Sequence, residues 1–278
     1  MAPKRNIVWL ASYPKSGNTW MRIFLANYLF NPDTPMPINQ VHRIGIGDAV
    51  PKTYAKVADR PIDPSDPRQT VALRPRVLAS IAGNNADINF VKTHNARTKA
   101  FGVDLIPAHL THSAIYIMRH PLDVACSFAR HYAQTIEETI AAFDRADHSI
   151  IGDSNSVPQF LGSWAEHVRG WTRHRDFPVL LLRYEDLLAR PHEEFARVVQ
   201  HIGAPMDEER LDRAVRFSSF DEVSAQEAKH GFIERSPGSE RFFHSGGSGA
   251  WRDTVPDALA SRFAAANAKA MSLRGYAA

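Results

Sequence analysis

The sequence predicts an α/β fold: a single three-layer domain over residues 1–278, with a central, mostly parallel sheet flanked by helices. Three observations predict it. Short apolar runs alternate with segments of helical periodicity. The runs are continuously apolar, as expected for parallel strands that are buried on both faces. Four of them end in polar clusters, and ligands of such sheets bind beyond the carboxyl ends of the strands. We therefore expect the functional site at that edge.

Composition narrows the possible functions. The chain is 44% hydrophobic and 23% charged, which is enough apolar material for a sizeable core. Its net charge is only +3 and it has no basic tail, so nucleic acid is not an expected partner. The single cysteine, Cys126, excludes an internal disulfide. The apolar run at 7–11 is too short for a signal peptide or a membrane span, which predicts a cytoplasmic protein without a membrane partner.

Local patterns assign the elements. Strands are predicted over 7–11, 88–91, 114–118 and 179–182. Helices are predicted over 18–29, 122–132, 158–175 and 191–203. Asn18 is the expected N-cap of the first helix, and Pro121 suits the first turn of the second. The third helix carries an apolar stripe that we expect in the core: Phe160, Trp164, Val168 and Trp171.

Residues 31–87 differ from the rest of the chain because they contain eight prolines. Proline interrupts long elements, so loops and short helices are expected there. A segment of this kind inside a compact enzyme is typical of a lid or a pocket wall.

The loop after the first strand has the features of an anion site. Gly17 allows backbone amides to curl around an anion, and the following helix N-terminus adds positive potential. Lys15 adds a full charge, and hydrogen-bonding side chains come from Ser16, Asn18 and Thr19. The alternative is a solvated turn with an exposed lysine. A kinase or GTPase loop would contain Gly-Lys, and a dinucleotide-binding site would contain Gly-x-Gly-x-x-Gly. The chain contains neither motif.

Residues 13–20, Tyr-Pro-Lys-Ser-Gly-Asn-Thr-Trp, closely resemble the 5′-phosphosulfate loop of the cytosolic-type sulfotransferases, whose bacterial members modify small molecules. The resemblance implies a P-loop-like phosphosulfate loop that binds 3′-phosphoadenosine 5′-phosphosulfate (PAPS) and releases PAP, without a metal. It places Lys15 on the bridging oxygen of the leaving phosphate and Trp20 on adenine. The 5′-phosphate would be held by Ser16, Gly17, Asn18 and Thr19. An ammonium on the leaving group helps most in the transition state, where negative charge accumulates.

The polar clusters after two further strands fit the same family. Arg119, followed by a helix bearing Ser127, resembles its 3′-phosphate motif; alternatively, Arg119 pairs with Asp123 and Ser127 is a buried helix hydroxyl. A lone histidine is more often structural, but His94 in Lys-Thr-His matches the catalytic base motif of the family. A histidine has a suitable pKa for taking a proton from an acceptor hydroxyl. The resemblance makes Lys92 the second cation near the sulfuryl group.

Two weaker matches concern the base of the nucleotide. Tyr184 corresponds to a family tyrosine that reaches adenine, although an interfacial aromatic residue would look the same. Ser218 and Phe220 lie in a short segment, Phe-Ser-Ser-Phe, that resembles the part of the family that closes over the base. These three residues complete the predicted adenine site.

The C-terminal motif departs from the family pattern of Arg-Lys-Gly, two residues, Gly-Asp-Trp. Its two glycines and its tryptophan are kept as Gly246, Gly249 and Trp251, but His244 and Ser245 replace the Arg-Lys pair. Losing two charged contacts weakens 3′-phosphate binding unless something replaces them. The candidates to replace the Arg-Lys pair are the backbone amides of residues 244–251, which we call the glycine-rich turn, and the side chains of Arg241 and Arg252.

The predicted reaction is sulfuryl transfer from PAPS to a hydroxyl, less often an amine, of a small-molecule acceptor by in-line displacement, with His94 as general base. The acceptor pocket is expected from residues 31–87, 133–159 and 225–245, which carry no motif. Two alternatives remain open: a nucleotide kinase of related architecture, and a non-catalytic nucleotide-binding or scaffold protein descended from the enzyme, which the altered Arg-Lys pair would favour.

Overall fold

A computed structural model describes residues 4–173 and 176–276. The chain forms two compact units. The first comprises Met1–Tyr13, Gly45–Tyr116 and Arg145–Leu181, and the second comprises Pro14–Ile44, Ile117–Asp144 and Leu182–Ala278. The single domain expected over 1–278 stays a prediction.

The strands of the described residues are β1 (Ile7–Ser12), β2 (Ile46–Gly47), β3 (Asn89–Thr93), β4 (Lys99–Ala100), β5 (Val103–Asp104), β6 (Thr111–Met118), β7 (Ser149–Ile150), β8 (Gln159–Phe160) and β9 (Val179–Arg183). The central sheet has the order β2-β3-β1-β6-β9, and β3 pairs in parallel with both β1 and β2. The predicted α/β fold with a mostly parallel sheet is confirmed. All four predicted strands form, whereas the two-residue strand β2 was not predicted.

The helices of the described residues are α1 (Asn18–Phe30), α2 (Pro51–Val57), α3 (Pro67–Ala82), α4 (Pro121–Tyr132), α5 (Ile136–Phe143), α6 (Trp164–Arg173), α7 (Tyr184–Ala189), α8 (Pro191–His201), α9 (Glu208–Phe217), α10 (Phe220–His230) and α11 (Asp257–Ser272). Short 3₁₀ helices cover Ile38–Arg43 and Ala250–Asp253. None of the helices within residues 4–173 and 176–276 combines the length and apolar character that crossing a bilayer requires. The cytoplasmic location stays a prediction.

Strand β1 forms the centre of the first unit. All six of its residues are buried, which accounts for the continuous apolar run in the sequence. The indole Nε1 of Trp9 donates to Thr111 Oγ1 at 2.9 Å, so the one polar group of this run is satisfied inside the core. Ala11 lies opposite Thr93 on β3, and the chain leaves both strands at the next residue or two.

The proline-rich segment is more regular than expected. Residues 67–82 form a 16-residue helix, α3, which continues through Pro75. A proline inside a helix costs about 3 kcal/mol because it removes a hydrogen bond and crowds the preceding turn. The buried face of α3 offsets this cost: Val77 and Leu78 pack in the core, and Arg74 makes a buried ion pair. Tertiary packing therefore overrides the local signal.

Helix α6 begins later than predicted. Phe160 lies in β8 instead of the helix, because Gly162 adopts a φ of +64° and interrupts the chain before Trp164. Ser163 accepts the backbone N–H of Glu166 and starts the helix. The remaining members of the predicted stripe, Trp164, Val168 and Trp171, are buried as expected. Residues 174–175 of the predicted helix lie outside the described residues.

The prediction that Asn18 is the N-cap of α1 is wrong. The cap is Gly17, whose φ of +107° turns the chain into the helix, and Asn18 is the first helical residue. The Asn18 side chain instead accepts a hydrogen bond from Arg22 one turn later, at 3.2 Å. Pro121 begins α4 as expected, and the helix over 191–201 is followed by Gly203 at a φ of +70°.

Candidate active site

The loop between Ser12 and α1 has an unusual backbone. Lys15 has a φ of +68° and Gly17 a φ of +107°, so two left-handed residues flank Ser16. Alternation of this kind turns successive amides to one side and forms an anion-binding concavity. Gly17 has a second reason to lack a side chain, because a Cβ there would lie 2.9 Å from the ring of Tyr184. The loop backbone therefore has the form of an anion-binding concavity, and its binding of a phosphate stays a prediction.

Three residues predicted to bind the donor carry buried polar atoms without a hydrogen-bond partner in the described part of the chain. These atoms are Ser16 Oγ, Trp20 Nε1 and Arg119 Nε. An unpaired buried polar group costs about 1–3 kcal/mol, so a folded protein rarely keeps several near one another without a use for them. The three residues fit a polar, anionic ligand with an aromatic part.

Tyr184 contacts several of the predicted donor-binding residues in the second unit. Its ring makes an edge-to-face contact with Trp20, with centroids 5.6 Å apart, and the Arg119 guanidinium lies 4.3 Å from its centroid. Its hydroxyl donates to the carbonyl of Gly246 at 3.2 Å. Burial raises the pKa of Tyr184, so the phenol stays neutral and remains a donor. Tyr184 thus brings together Trp20, Arg119 and Gly246, which are far apart in the sequence, and their role in nucleotide binding stays a prediction.

Arg119 links the loop to the glycine-rich turn. Its guanidinium donates to the carbonyl of Lys15 at 3.2 Å and to that of Gly247 at 2.9 Å. The alternative pairing with Asp123 is not found among the described ion pairs. Asp123 instead accepts the backbone N–H groups of Gly249 at 2.7 Å and Trp251 at 3.2 Å. The carboxylate therefore holds the backbone of the turn, and the guanidinium joins the turn to the loop.

The glycine-rich turn packs directly on Phe220. Gly246 has a φ of +59°, and a Cβ there would lie 2.2 Å from the Phe220 ring, so no other residue fits. His244 and Ser245, which replace the Arg-Lys pair of the family, are exposed. Two amides of the turn already donate to Asp123, and the Arg252 guanidinium lies over the Trp251 ring at 4.7 Å. The amides of Gly249 and Trp251 and the side chain of Arg252 therefore already have partners within the protein.

The side chains of Asn18 and Thr19 belong to a polar cluster that was not predicted. Buried Arg22 donates to both of them and forms a bidentate ion pair with Glu234, at 2.9 and 2.7 Å. Thr19 Oγ1 also donates to Glu234, at 3.1 Å. Arg22 lies one turn after Thr19, a spacing that hinted at its contact with the loop, but no local signal linked it to Glu234.

The two predicted serines differ in their surroundings. Ser218 is buried at the end of α9, and its hydroxyl donates to the carbonyl of Ala214 at 2.9 Å, as a helix-terminal serine often does. Ser127 lies half-buried in the middle of α4. Neither observation tests a role in nucleotide binding, so both assignments stay predictions.

In the first unit, His94 follows the last residue of β3. Its Nδ1 lies 2.9 Å from the backbone carbonyl of Ser12 and 3.3 Å from the Ser12 hydroxyl. A carbonyl only accepts, so Nδ1 carries the proton, and Nε2 is the basic nitrogen of the neutral ring. Lys92 lies half-buried in β3, two residues before His94. The tautomer is the one that a general base acting through Nε2 needs.

His167 forms a hydrogen bond with the backbone of His94. Its Nε2 donates to the His94 carbonyl at 3.1 Å, which leaves Nδ1 to accept from the Tyr116 hydroxyl at 2.9 Å. His167 is fully buried, and burial lowers its pKa to about 4. The imidazole is therefore neutral at physiological pH and keeps the tautomer that this chain of hydrogen bonds requires.

Buried His167 predicts a stability change in mild acid. Its pKa is about 6.5 in the unfolded chain and about 4 in the folded state, so the unfolded state takes up a proton first. The free energy of unfolding is expected to fall as the pH drops from 6.5 to 4, by roughly 3 kcal/mol from this group. Chemical denaturation across this range measures it. His167→Gln should flatten the slope, whereas the same change at exposed His109 should not; equal slopes in all three proteins would contradict the assignment.

A cavity of about 450 Å³ also lies in the first unit. Its lining includes Arg97, Phe101, His148 and Phe160. Of the three stretches expected to build the acceptor pocket, only residues 133–159 contribute to it, through 146–148. Its lining therefore does not match the pocket that the sequence predicts.

Comparisons with known proteins agree with this fold. The chain is 26% identical over 272 residues to canine Sulfotransferase 1A1, which covers 94% of this chain and 82% of the canine protein. A solved retinol dehydratase in complex with androsterone and inactive cofactor PAP superposes with a TM-score of 0.65 at 19% identity, over 99% of this chain and 82% of that one. Mouse sulfotransferase SULT7A1 complexed with PAP gives 0.63 at 18% identity, over 96% and 84%.

The decisive match covers almost the whole chain. The family described as "Sulfotransferase domain" matches residues 5–275, which include every residue assigned to the site from the sequence. The prediction of a sulfotransferase is confirmed, and the alternative of a nucleotide kinase loses its support. The chain belongs to the sulfotransferase domain family.

Proposed function

We propose that the protein transfers the sulfuryl group of PAPS to a hydroxyl, less often an amine, of a small-molecule acceptor, with His94 as general base. The observation that carries this proposal is the hydrogen bond from His94 Nδ1 to the Ser12 carbonyl. It leaves Nε2 as the proton acceptor for an attacking hydroxyl. Solved structures of retinol dehydratase in complex with PAP and with androsterone or retinol support a nucleotide donor and a small acceptor.

The donor would be held by residues of the second unit. The phosphosulfate would lie against the left-handed backbone of the loop and Ser16, and the base against Trp20 and Tyr184. Arg119 is a guanidinium between the loop and the glycine-rich turn, so it suits the 3′-phosphate. The unpaired polar atoms of Ser16, Trp20 and Arg119 support this fit.

Transfer would be an in-line displacement. His94 takes the acceptor proton as the acceptor oxygen forms a bond to sulfur, while the bond from sulfur to the bridging oxygen breaks and PAP leaves. Lys15 stabilises the negative charge on the departing oxygen, and Lys92 that on the sulfuryl oxygens. Most of the rate gain would come from positioning and electrostatics, as in phosphoryl transfer.

Arg119→Ala tests the assignment of the 3′-phosphate. The donor KM is expected to rise about 10- to 100-fold with a small change in kcat, because a buried charge-assisted contact contributes about 1.5–3 kcal/mol. Steady-state kinetics with PAPS and calorimetry with PAP measure the effect. Arg262→Ala, at an exposed site on α11, is the control. If the wild type bound ATP as tightly as PAPS, the assignment to the 3′-phosphate would be wrong.

The acceptor class is tested by a mass-spectrometric screen with PAPS against phenols, alkyl alcohols, sugars and amines. A sulfated hydroxyl product supports the proposal, and sulfated amines alone would overturn its hydroxyl preference. Tight PAP binding without any sulfated product or PAPS turnover would favour a non-catalytic binding protein. Phosphorylated products from ATP and magnesium would favour a kinase.

A further inference from the structure

We infer that Asp48 is a positioning residue for His94: its buried carboxylate holds the residues on both sides of the histidine. The inference rests on the proposed function, because it assumes that His94 is the base. Asp48 lies in the proline-rich segment, just after β2, and is 1% exposed. No sequence motif pointed to it.

The contacts of Asp48 surround His94 along the chain. One carboxylate oxygen, Oδ2, accepts from Thr93 Oγ1 at 2.7 Å and from Asn95 Nδ2 at 3.0 Å. The backbone N–H of Asp48 donates to the Lys92 carbonyl at 3.0 Å. A single residue thus binds the two neighbours of His94 and the residue before them.

These contacts matter because His94 lies beyond the last residue of β3, where the sheet no longer holds the chain. The side chain of Asn95 is fixed twice, since its Oδ1 also accepts the backbone N–H of Phe160 at 2.8 Å. Catalytic groups need to be held to within about 0.5 Å of their working position. Asp48 supplies that restraint through the side chains of Thr93 and Asn95 and through the carbonyl of Lys92.

Arg74 compensates the charge of Asp48. It donates to Asp48 Oδ2 at 2.6 Å and to the carbonyl of Leu105 at 2.8 Å. Burial lowers the pKa of Arg74, but Asp48 and Tyr54 together more than offset this, so its pKa is raised. A buried ion pair contributes little net stability compared with apolar residues of the same volume. The pair is therefore better explained by what it holds in place than by the stability it adds.

The hydroxyl of Thr93 allows a test that leaves the ion pair intact. Thr93→Val removes the link to Asp48, together with the hydrogen bond that the same hydroxyl accepts from the backbone N–H of Asn95 at 3.0 Å, and Thr93→Ser restores both. Asp48→Asn removes the charge itself. Asp59→Asn is the matched control, because Asp59 forms an exposed pair with Arg76 on the same helix as Arg74.

Two measurements are made on each full-length variant. The first is ¹⁵N NMR of the histidine-labelled protein, with His94 assigned by the signal that His94→Ala lacks; it reports the tautomer without an acceptor. The second is release of PAP from PAPS with 4-nitrophenol, together with calorimetric binding of PAP.

We expect Thr93→Val and Asp48→Asn to mix the His94 tautomers and to lower kcat about 10-fold or more, with PAP affinity within about threefold of the wild type. Thr93→Ser and Asp59→Asn should match the wild type.

The outcomes separate this inference from the proposed function. A single Nδ1-protonated tautomer in Thr93→Val and in folded Asp48→Asn, with unchanged kcat, overturns the role of Asp48 alone. Normal turnover in His94→Ala overturns the proposed base, whatever the Asp48 variants do. If 4-nitrophenol is a poor acceptor, the NMR result decides the role of Asp48. If Asp48→Asn does not fold, the measurements on Thr93→Val decide that role.

Discussion

His94→Ala is expected to lower kcat by about 10²–10⁴-fold, which is the usual contribution of a general base. The expectation rests on the tautomer, because the Ser12 carbonyl holds the proton on Nδ1 and leaves Nε2 to accept one from the acceptor. Binding of PAP, measured by calorimetry, should stay within a few-fold of the wild type. Exogenous imidazole should restore part of the turnover, since it supplies the missing base in solution.

The control for this change is His112→Ala, at an exposed position on β6 of the same unit. It is expected to leave kcat unchanged. Near-normal turnover of His94→Ala at neutral pH would remove His94 from the mechanism. Loss of PAP binding along with turnover would instead point to a structural role.

Lys15 gives the second large effect, and it separates activity from stability. Lys15→Met and Lys15→Gly both remove the ammonium that is proposed to act on the leaving group, so each should lower kcat by about 10²–10³-fold. Lys15 also has a φ of +68°, a left-handed conformation that costs a side-chain-bearing residue about 1–2 kcal/mol. Glycine adopts it without that cost, so Lys15→Gly should be more stable than Lys15→Met by about 1 kcal/mol.

The stability difference between the two Lys15 variants does not include the loss of the cation–π contact of Lys15. The Lys15 ammonium lies 3.8 Å from the centroid of the Phe242 ring, and both substitutions remove that cation–π contact. Urea denaturation of the pair therefore measures the backbone strain. Equal stability of the two variants would show that the left-handed conformation costs nothing here, and kcat of Lys15→Met within about fivefold of the wild type would contradict its role at the leaving group.

A strained lysine in the loop agrees with how functional sites are built. Left-handed non-glycine residues persist only where the surrounding structure holds them. Here the Lys15 carbonyl accepts a hydrogen bond from Arg119, so a residue of the predicted 3′-phosphate site also fixes the backbone of the predicted 5′-phosphosulfate loop. Arg119→Ala is thus expected to affect donor binding through the loop as well as directly.

Where local patterns failed, a tertiary contact or a single backbone angle was responsible. The break before α6 depends on the φ of Gly162, which the periodicity of Phe160 and Trp164 concealed. Helix α3 continues through Pro75 because its buried face packs well enough to offset the proline. These are the cases in which the sequence carries two conflicting signals and packing decides between them.

The sequence by itself determined the α/β class, the four main strands and the family, because hydrophobic periodicity and the motifs of residues 13–20 and 92–94 are encoded over a few consecutive residues. Only the tertiary structure decided which ring nitrogen of His94 carries the proton, how Tyr184 joins the loop to the glycine-rich turn, and that Asp48 binds the neighbours of the histidine. Those features depend on hydrogen bonds between residues that are far apart in the chain. Such pairs leave no local pattern, since each partner is chosen by the fold that brings it near.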